Sequence, residues 1–311
     1  MQLAITDDKE LNGEVFSVER ALGQAEKLFS LMDIADSTEE DYLRRLPKFL
    51  EFVRDNGLGI NTYIEFKKHL RELPYYSVST KNKYLATARI FLKELNRIGE
   101  LPQDITQNIK SFKQSHKHKK DGITQGELDQ IMQEVNGMDI NKESMRLKAI
   151  LSLLVLQGLR QVEVIRLDIK DIDLVGKTAQ VLGKGRDDKE QINLHPKTVK
   201  TLKEYMDYCS IKDGALFVSF SGNSLNQRLS TRGVRGIVKE LLDKLGVEKT
   251  THGFRHYFTT TLIKTYKGDL TEVSRYTRHK SLEMLQVYND RIITQEDLPR
   301  YYKAFGEVKF I

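Results

Sequence analysis

His252-Gly253-Phe254-Arg255-His256 opens a stretch over 252–265 that reads as a helix, and it sets two imidazoles and a guanidinium within about one helical turn. Further helices are expected over 270–277 and 281–288; the first ends just before His279, and the second carries Tyr288, nine residues beyond His279. Upstream, Gly158-Leu159-Arg160-Gln161-Val162-Glu163 follows a strongly apolar helix over 145–157, where Ile150, Leu151, Leu153, Leu154 and Leu156 imply burial on most sides. Between these stretches, Thr178–Lys184 and Gln191–His195 are β-type runs around a turn at Gly185–Glu190, and so read as a hairpin with Lys184 between two glycines. Pro196 is placed to open another helix at its first position, Ala215–Ser219 offers a further strand, and a helix is expected over 231–245. Taken singly, each polar residue has an ordinary reading: an arginine at a helix start pairs with a carboxylate, a hairpin lysine is solvated, a tyrosine packs. It is their joint occurrence in one region that calls for an explanation.

The rest of the chain frames that region. At 311 residues and 39% hydrophobic content it is long enough for two cored domains. Residues 1–36 carry three Lys and Arg against eight Asp and Glu, residues 37–120 carry 17 against 10, and residues 121–311 carry 30 against 26. The net positive charge is thus concentrated in a middle segment, where it can neutralise phosphates. Residues 18–34 read as a short accessory helix with Ala21, Leu22, Ala25, Leu28, Phe29 and Met32 on one stripe, inside an accessory segment 1–36. Ser37-Thr38-Glu39-Glu40 has capping-box spacing before a helix that Gly57 stops, and two more helices follow, over 61–72 and from about Ser79. In the last, Leu85, Ala88, Leu92 and Leu95 point inward while Lys83, Arg89, Lys93 and Arg97 face out. This gives a helical domain over 37–114. Ser115 to Gly122, apolar-free and including Lys119 and Lys120, reads as a linker or as a solvated loop, with the second domain at 123–311. No apolar run approaches the roughly 20 residues of a membrane span, the N-terminus lacks a secretory pattern, and Cys209 is the single cysteine, so a cytoplasmic location and no disulfide are expected.

The second domain resembles the tyrosine recombinases, the phage integrase family that includes Xer-like and lambda-integrase-like enzymes. Gly158 to Glu163 is similar to the family's first-arginine motif, Gly183-Lys184-Gly185 to its lysine hairpin, and His252-Gly253-Phe254-Arg255-His256 to its His-x-x-Arg box. His279 and Tyr288 match the second histidine and the nucleophile in order and spacing. The resemblance implies a mainly α fold with a small β-sheet: a helical, SAM-like core-binding domain followed by an α+β catalytic domain. It implies a catalytic set of Arg160, Lys184, His252, Arg255, His279 and Tyr288, supported by Glu163, although the spacing alone equally allows Glu163 to be a helix-surface carboxylate. Phosphodiester cleavage needs a nucleophile, charge stabilisation and a proton for the leaving alkoxide. The set supplies these as Tyr288, the two guanidiniums with His279, and Lys184, with His252 accepting the tyrosine proton. No metal or other cofactor is implied. His252 and His256 have the i, i+4 spacing of a helical zinc pair, but no glutamate follows the first, and His256 is expected to pack.

Expected partners are double-stranded DNA with paired half-sites and further copies of the chain, a tetramer in the synaptic complex. Lys83, Arg89, Lys119, Lys120 and Arg278 are candidate phosphate contacts. The tail after Tyr288, with Ile293, Leu298, Tyr302 and Phe305, offers an apolar face for a neighbouring protomer. One departure is Thr277-Arg278 before His279, where the family often has Leu-Gly, which bears on the backbone there. The competing function is a monomeric type IB topoisomerase-like reaction, which uses a similar residue set.

Overall fold

The computed structural model describes residues 18–304 apart from 115–121, Lys184, Ser221 and Lys280. The expectations for Lys119, Lys120, Lys184 and Phe305 therefore lie outside the described residues. The chain divides into two compact units, Met1–Ser115 and His116–Ile311.

The first unit is built from α1 (Val18–Ser30), α2 (Asp36–Asn56), α3 (Thr62–Glu72) and α4 (Val78–Arg97). Leu46, Phe49, Leu50 and Val53 recur at helical spacing on α2 and are buried, and Phe49 meets Phe66 of α3 edge-on at 5.0 Å between ring centroids. Gly57, at φ 81°, donates its N–H to the Val53 carbonyl and stops α2, because its left-handed backbone suits a glycine. Two expectations are corrected here. The helix over 18–34 ends at Ser30, and Leu31 is exposed. The Ser37 capping box does not form: α2 starts two residues earlier than that cap requires, after an extended Ala35, so Ser37 lies inside the first turn, where Asp36 and Glu39 offset the exposed N–H groups. α4 is capped instead by Ser77, whose hydroxyl accepts from the Thr80 N–H. α1 lends Ala21, Ala25, Leu28 and Phe29 to the same core as α2 and α4, so it is part of this unit's packing and not an appendage.

The second unit contains α5 (Gln125–Gly137), α6 (Lys142–Leu156), α7 (Gln161–Arg166), β1 (Ile172–Asp173), β2 (Thr178–Leu182), β3 (Lys189–Asn193), α8 (Pro196–Cys209), α9 (Thr231–Lys244), α10 (Thr251–Thr265), α11 (Leu270–Thr277) and α12 (Leu282–Ala304). The strands form one antiparallel sheet in the order β1-β2-β3, with Leu182 opposite Lys189 next to the hairpin turn. The expected class, mainly helical with a small sheet, is what the structure has. α6 is the central helix: Ala149, Ile150, Leu153 and Leu154 are fully enclosed, and it packs against α8 and α10. α5 is held by a Thr124/Glu127 capping box and buries Leu128, Ile131 and Val135. Ala215–Ser219 is not a strand: it makes single bridges from Ala215, Val218 and Ser219 to three separate residues, never a ladder. α12 runs far beyond the expected 281–288, to Ala304, because no glycine lies between Tyr288 and that end to stop it, and it accommodates Pro299 in its interior. Its inner face forms a small satellite core of Leu285, Tyr288 and Ile292 with Ile263 and Val273. Among the described residues no helix is long and apolar enough to cross a membrane.

Candidate active site

The end of α6 turns sharply at Gly158, whose φ of +58° is strained for any residue with a Cβ and whose position leaves no room for one: a Cβ would lie 2.3 Å from the Phe258 ring. The turn buries Leu159 completely and delivers Arg160 as the residue preceding α7. Glu163, three residues on, folds back to accept the Arg160 backbone N–H at 2.8 Å, while its other oxygen takes the Arg160 guanidinium at 2.9 Å. Glu163 is 1% exposed, which excludes the surface-carboxylate reading. A buried carboxylate requires such pairing, since desolvation without it costs several kcal/mol.

Arg255 extends from α10 into the same interior and is 2% exposed. It donates to the Gly158 carbonyl at 2.6 Å and to the Thr277 carbonyl, and so ties the start of the site to its end. Burial, with the Arg160 charge next, draws its guanidinium down to about 10, which leaves it cationic near neutrality. His279 follows the C-terminus of α11; its Nδ1 lies 2.8 Å from the Thr277 hydroxyl. Burial first, then Arg255, Arg160, His252 and Arg278, hold its imidazole down to about 3, so the ring is neutral over the working range. His252 itself stands exposed on the first turn of α10.

Tyr288 lies in α12, 4% exposed, with its ring 6.2 Å from that of His279. Burial raises its phenol above the ordinary value, while the Arg255 and Arg160 charges pull it back. The structure thus brings Arg160, Glu163, Arg255, His279 and Tyr288 into one electrostatic neighbourhood, with His252 acting on His279. A cavity of about 180 Å³ is lined by Arg160, Glu163, Arg186, Arg278 and His279, and also by Gly183, the residue before Lys184.

Two expected DNA contacts are placed otherwise. Arg89 does not face outward: its guanidinium sits 5.4 Å from the Tyr63 ring centroid and donates to the Ile109 carbonyl, because the loop after α4 returns across the helix and captures it. Arg278 is buried and paired with Glu163 at 2.9 Å. Lys83 is exposed. Some participants were missed. His256, expected only to pack, lies closer to the Tyr288 ring than His279 does, at 4.7 Å between centroids, and its place one turn after His252 on the buried face of α10 was the available signal. The carbonyls of Gly158 and Thr277 left none, since any residue supplies a carbonyl.

The pattern of the phage integrase family matches residues 122–292. The chain is 27% identical over 280 residues to tyrosine recombinase XerC of Herpetosiphon aurantiacus, covering 84% of this chain and 88% of that protein. It is 28% identical over 290 residues to tyrosine recombinase XerD of Oceanobacillus iheyensis, covering 88% and 93%. Its fold is similar to that of the XerH site-specific recombinase in a post-cleavage complex with palindromic difH substrate, with a TM-score of 0.72 at 19% identity over 96% of this chain and 98% of the other. A lambda integrase dimer bound to a COC' core site shares the fold at a TM-score of 0.67 and 15% identity, over 87% of this chain and 76% of that one. With more than half of its length matched, and with the fold that the match requires, the chain belongs to the phage integrase family, the tyrosine recombinases that cut and rejoin DNA strands.

Proposed function

We propose that this chain is a site-specific recombinase that exchanges DNA strands through a 3′-phosphotyrosyl link to Tyr288, in integration and excision or in dimer resolution. The observation that carries this reading is geometric: Arg255 is tied to the Gly158 turn that delivers Arg160, Arg160 is held by Glu163, and the Tyr288 ring lies 6.2 Å from that of His279, so that the guanidiniums that would bind the non-bridging phosphate oxygens also offset part of the burial that raises the Tyr288 phenol. In the first step the Tyr288 Oη attacks the scissile phosphorus and the bond to the 5′ oxygen breaks. The phenol proton passes to His252, and Lys184 protonates the departing oxygen. Neutral His279, fixed through Thr277, donates a hydrogen bond to the phosphate. The phosphodiester energy is kept in the covalent link, so attack by a 5′-hydroxyl of the partner strand reverses the step without ATP.

Double-stranded DNA with paired half-sites is the proposed substrate, acted on by an oligomer, a tetramer at synapsis. The XerH and lambda integrase structures hold DNA, the latter as a dimer. Ile293, Tyr301 and Tyr302 stand exposed on the far half of α12, where a neighbouring protomer can bury them. Nicked suicide DNA incubated with the wild-type protein should give a denaturant-resistant adduct on the peptide containing Tyr288, and Tyr288→Phe should abolish it while DNA affinity changes little. An adduct that survives in the variant, or maps to Tyr276, would overturn the assignment. Supercoil relaxation without exchange between two sites would favour a topoisomerase-like reaction instead.

A further inference from the structure

Between them, Thr277 and Arg278 touch three members of the site. The Thr277 carbonyl holds Arg255, the Thr277 hydroxyl meets His279, and the Arg278 Nη2 reaches the Glu163 Oε2 at 2.9 Å. Arg278 does so from an unfavourable backbone, φ 54° and ψ 40°, the left-handed region that glycine adopts freely and other L-residues occupy at a cost. Its side chain is also drawn out of water, which lowers its proton affinity. Its Nε and Nη1 find no acceptor among the described residues, so Glu163 is the contact that fixes it. A strained, desolvated arginine persists where the surroundings return the cost.

We infer that Arg278 is a positioning residue: it clamps one oxygen of the Glu163 carboxylate so that the other is aimed at the Arg160 guanidinium. Glu163 holds Arg160 in two ways, through the backbone N–H and through the side chain, and both depend on where its carboxylate plane lies. The Oε2 that receives Arg278 is the oxygen that accepts the Arg160 N–H. Without Arg278 only the two Arg160 contacts resist turning of the carboxylate about its last torsion, a broad one, and the approach of Arg160 to the phosphate is less tightly fixed. The placement differs from a direct phosphate contact, since it acts through Glu163. The inference rests on the recombinase reading above.

The test is a cycle in the full-length protein of Arg278→Gly, Glu163→Gln and the double variant, with single-turnover cleavage of suicide DNA at saturating DNA and affinity measured across salt concentrations. Glycine suits the left-handed backbone, and Arg278→Asn, also tolerant of it, guards against a folding defect peculiar to one substitution. Arg278→Gly should cleave on the order of tenfold more slowly, within the coupling range of residues in one ion-pair network. Affinity and salt slope should be unchanged, and in the Glu163→Gln background the same substitution should have less than about a twofold effect. A defect that stays undiminished in that background, or a salt slope reduced by about one, would overturn the inference in favour of a direct phosphate contact; no rate defect would remove any role. The wild-type adduct on Tyr288 separates the two levels: its absence falls on the recombinase reading, whereas a normal wild-type adduct with an unaffected variant falls on Arg278 alone.

Discussion

Replacing Gly158 by alanine should damage both the stability of the second unit and its chemistry, for separable reasons. At φ +58° a Cβ costs about 1–2 kcal/mol, and its approach to 2.3 Å from the Phe258 ring forces repacking worth about 1–3 kcal/mol. The reduced freedom of the unfolded chain offsets roughly 0.4–1 kcal/mol of this. A net loss of about 2–4 kcal/mol should lower the melting temperature of a unit this size by roughly 4–16 °C. Scanning calorimetry reads this directly. Removing the ring should relieve only the steric part, so Gly158→Ala combined with Phe258→Ala should be less destabilised than the two single changes predict, by about 1–3 kcal/mol. The Gly158 carbonyl is also the 2.6 Å acceptor for Arg255. A shift of that turn should therefore slow strand cleavage by up to about 100-fold at saturating DNA. A Gly158→Ala protein that melts within about 1 °C of wild type would refute both the strain and the contact, and a strictly additive cycle with Phe258→Ala would refute the contact.

His279 is held near 3, against about 6.5 in an unfolded chain, so between these values the unfolded state takes up a proton that the folded state refuses. Stability should therefore rise with pH through that window and be lost as pH falls from about 6.5 toward 3; His279→Asn should flatten the slope of melting temperature against pH, and an unchanged slope would contradict the assignment. Arg89→Met should destabilise the first unit by about 1–2 kcal/mol through loss of the Tyr63 and Ile109 contacts, while leaving the salt dependence of DNA binding as in wild type. Lys83→Ala should do the reverse, lowering the salt slope by about 0.9 with no change in melting temperature, and an exchange of the two phenotypes would show that it is Arg89 that reaches DNA.

What could be read in advance depended on whether a residue's role is local. Leu46, Phe49, Leu50 and Val53, or Leu85, Ala88, Leu92 and Leu95, declare a buried face by spacing alone, and those faces are buried. Caps are less legible because several residues compete for one helix start: Ser37 had the spacing, yet Ala35 ends up outside the helix and Asp36 begins it. Arg89 shows the opposite limit. Its outward position follows from α4, but the chain that returns over it lies 20 residues downstream, and no periodicity encodes that approach. Ala215–Ser219 has strand composition without a strand, since pairing is a property of the neighbours and here each of its bridges is isolated.

The site divides along the same line. Arg160, Arg255, His279 and Tyr288 are visible because their chemistry resides in side chains set at recognisable intervals, whereas their registration relies on the Gly158 and Thr277 carbonyls and on a Glu163 shared by two arginines. The neighbourhood of Tyr288 adds a mechanical consequence. The Tyr288 ring is 4% exposed, packed on His256 and in one small core with Leu285 and Ile292, and it borders a surface pocket with His256 and Arg291. On the proposed reading, a phosphate gains fuller access to Tyr288 when the segment of α12 around it moves, and the physical handle is unequal burial along that helix. Leu285, Tyr288 and Ile292 hold one face to Ile263 and Val273, while Met284, Ile293, Tyr301 and Tyr302 are exposed and gain apolar burial only when something else covers them. Any contact that covers the exposed positions in a shifted α12 more completely than in the present one draws the helix in that direction, and Tyr288 travels with it.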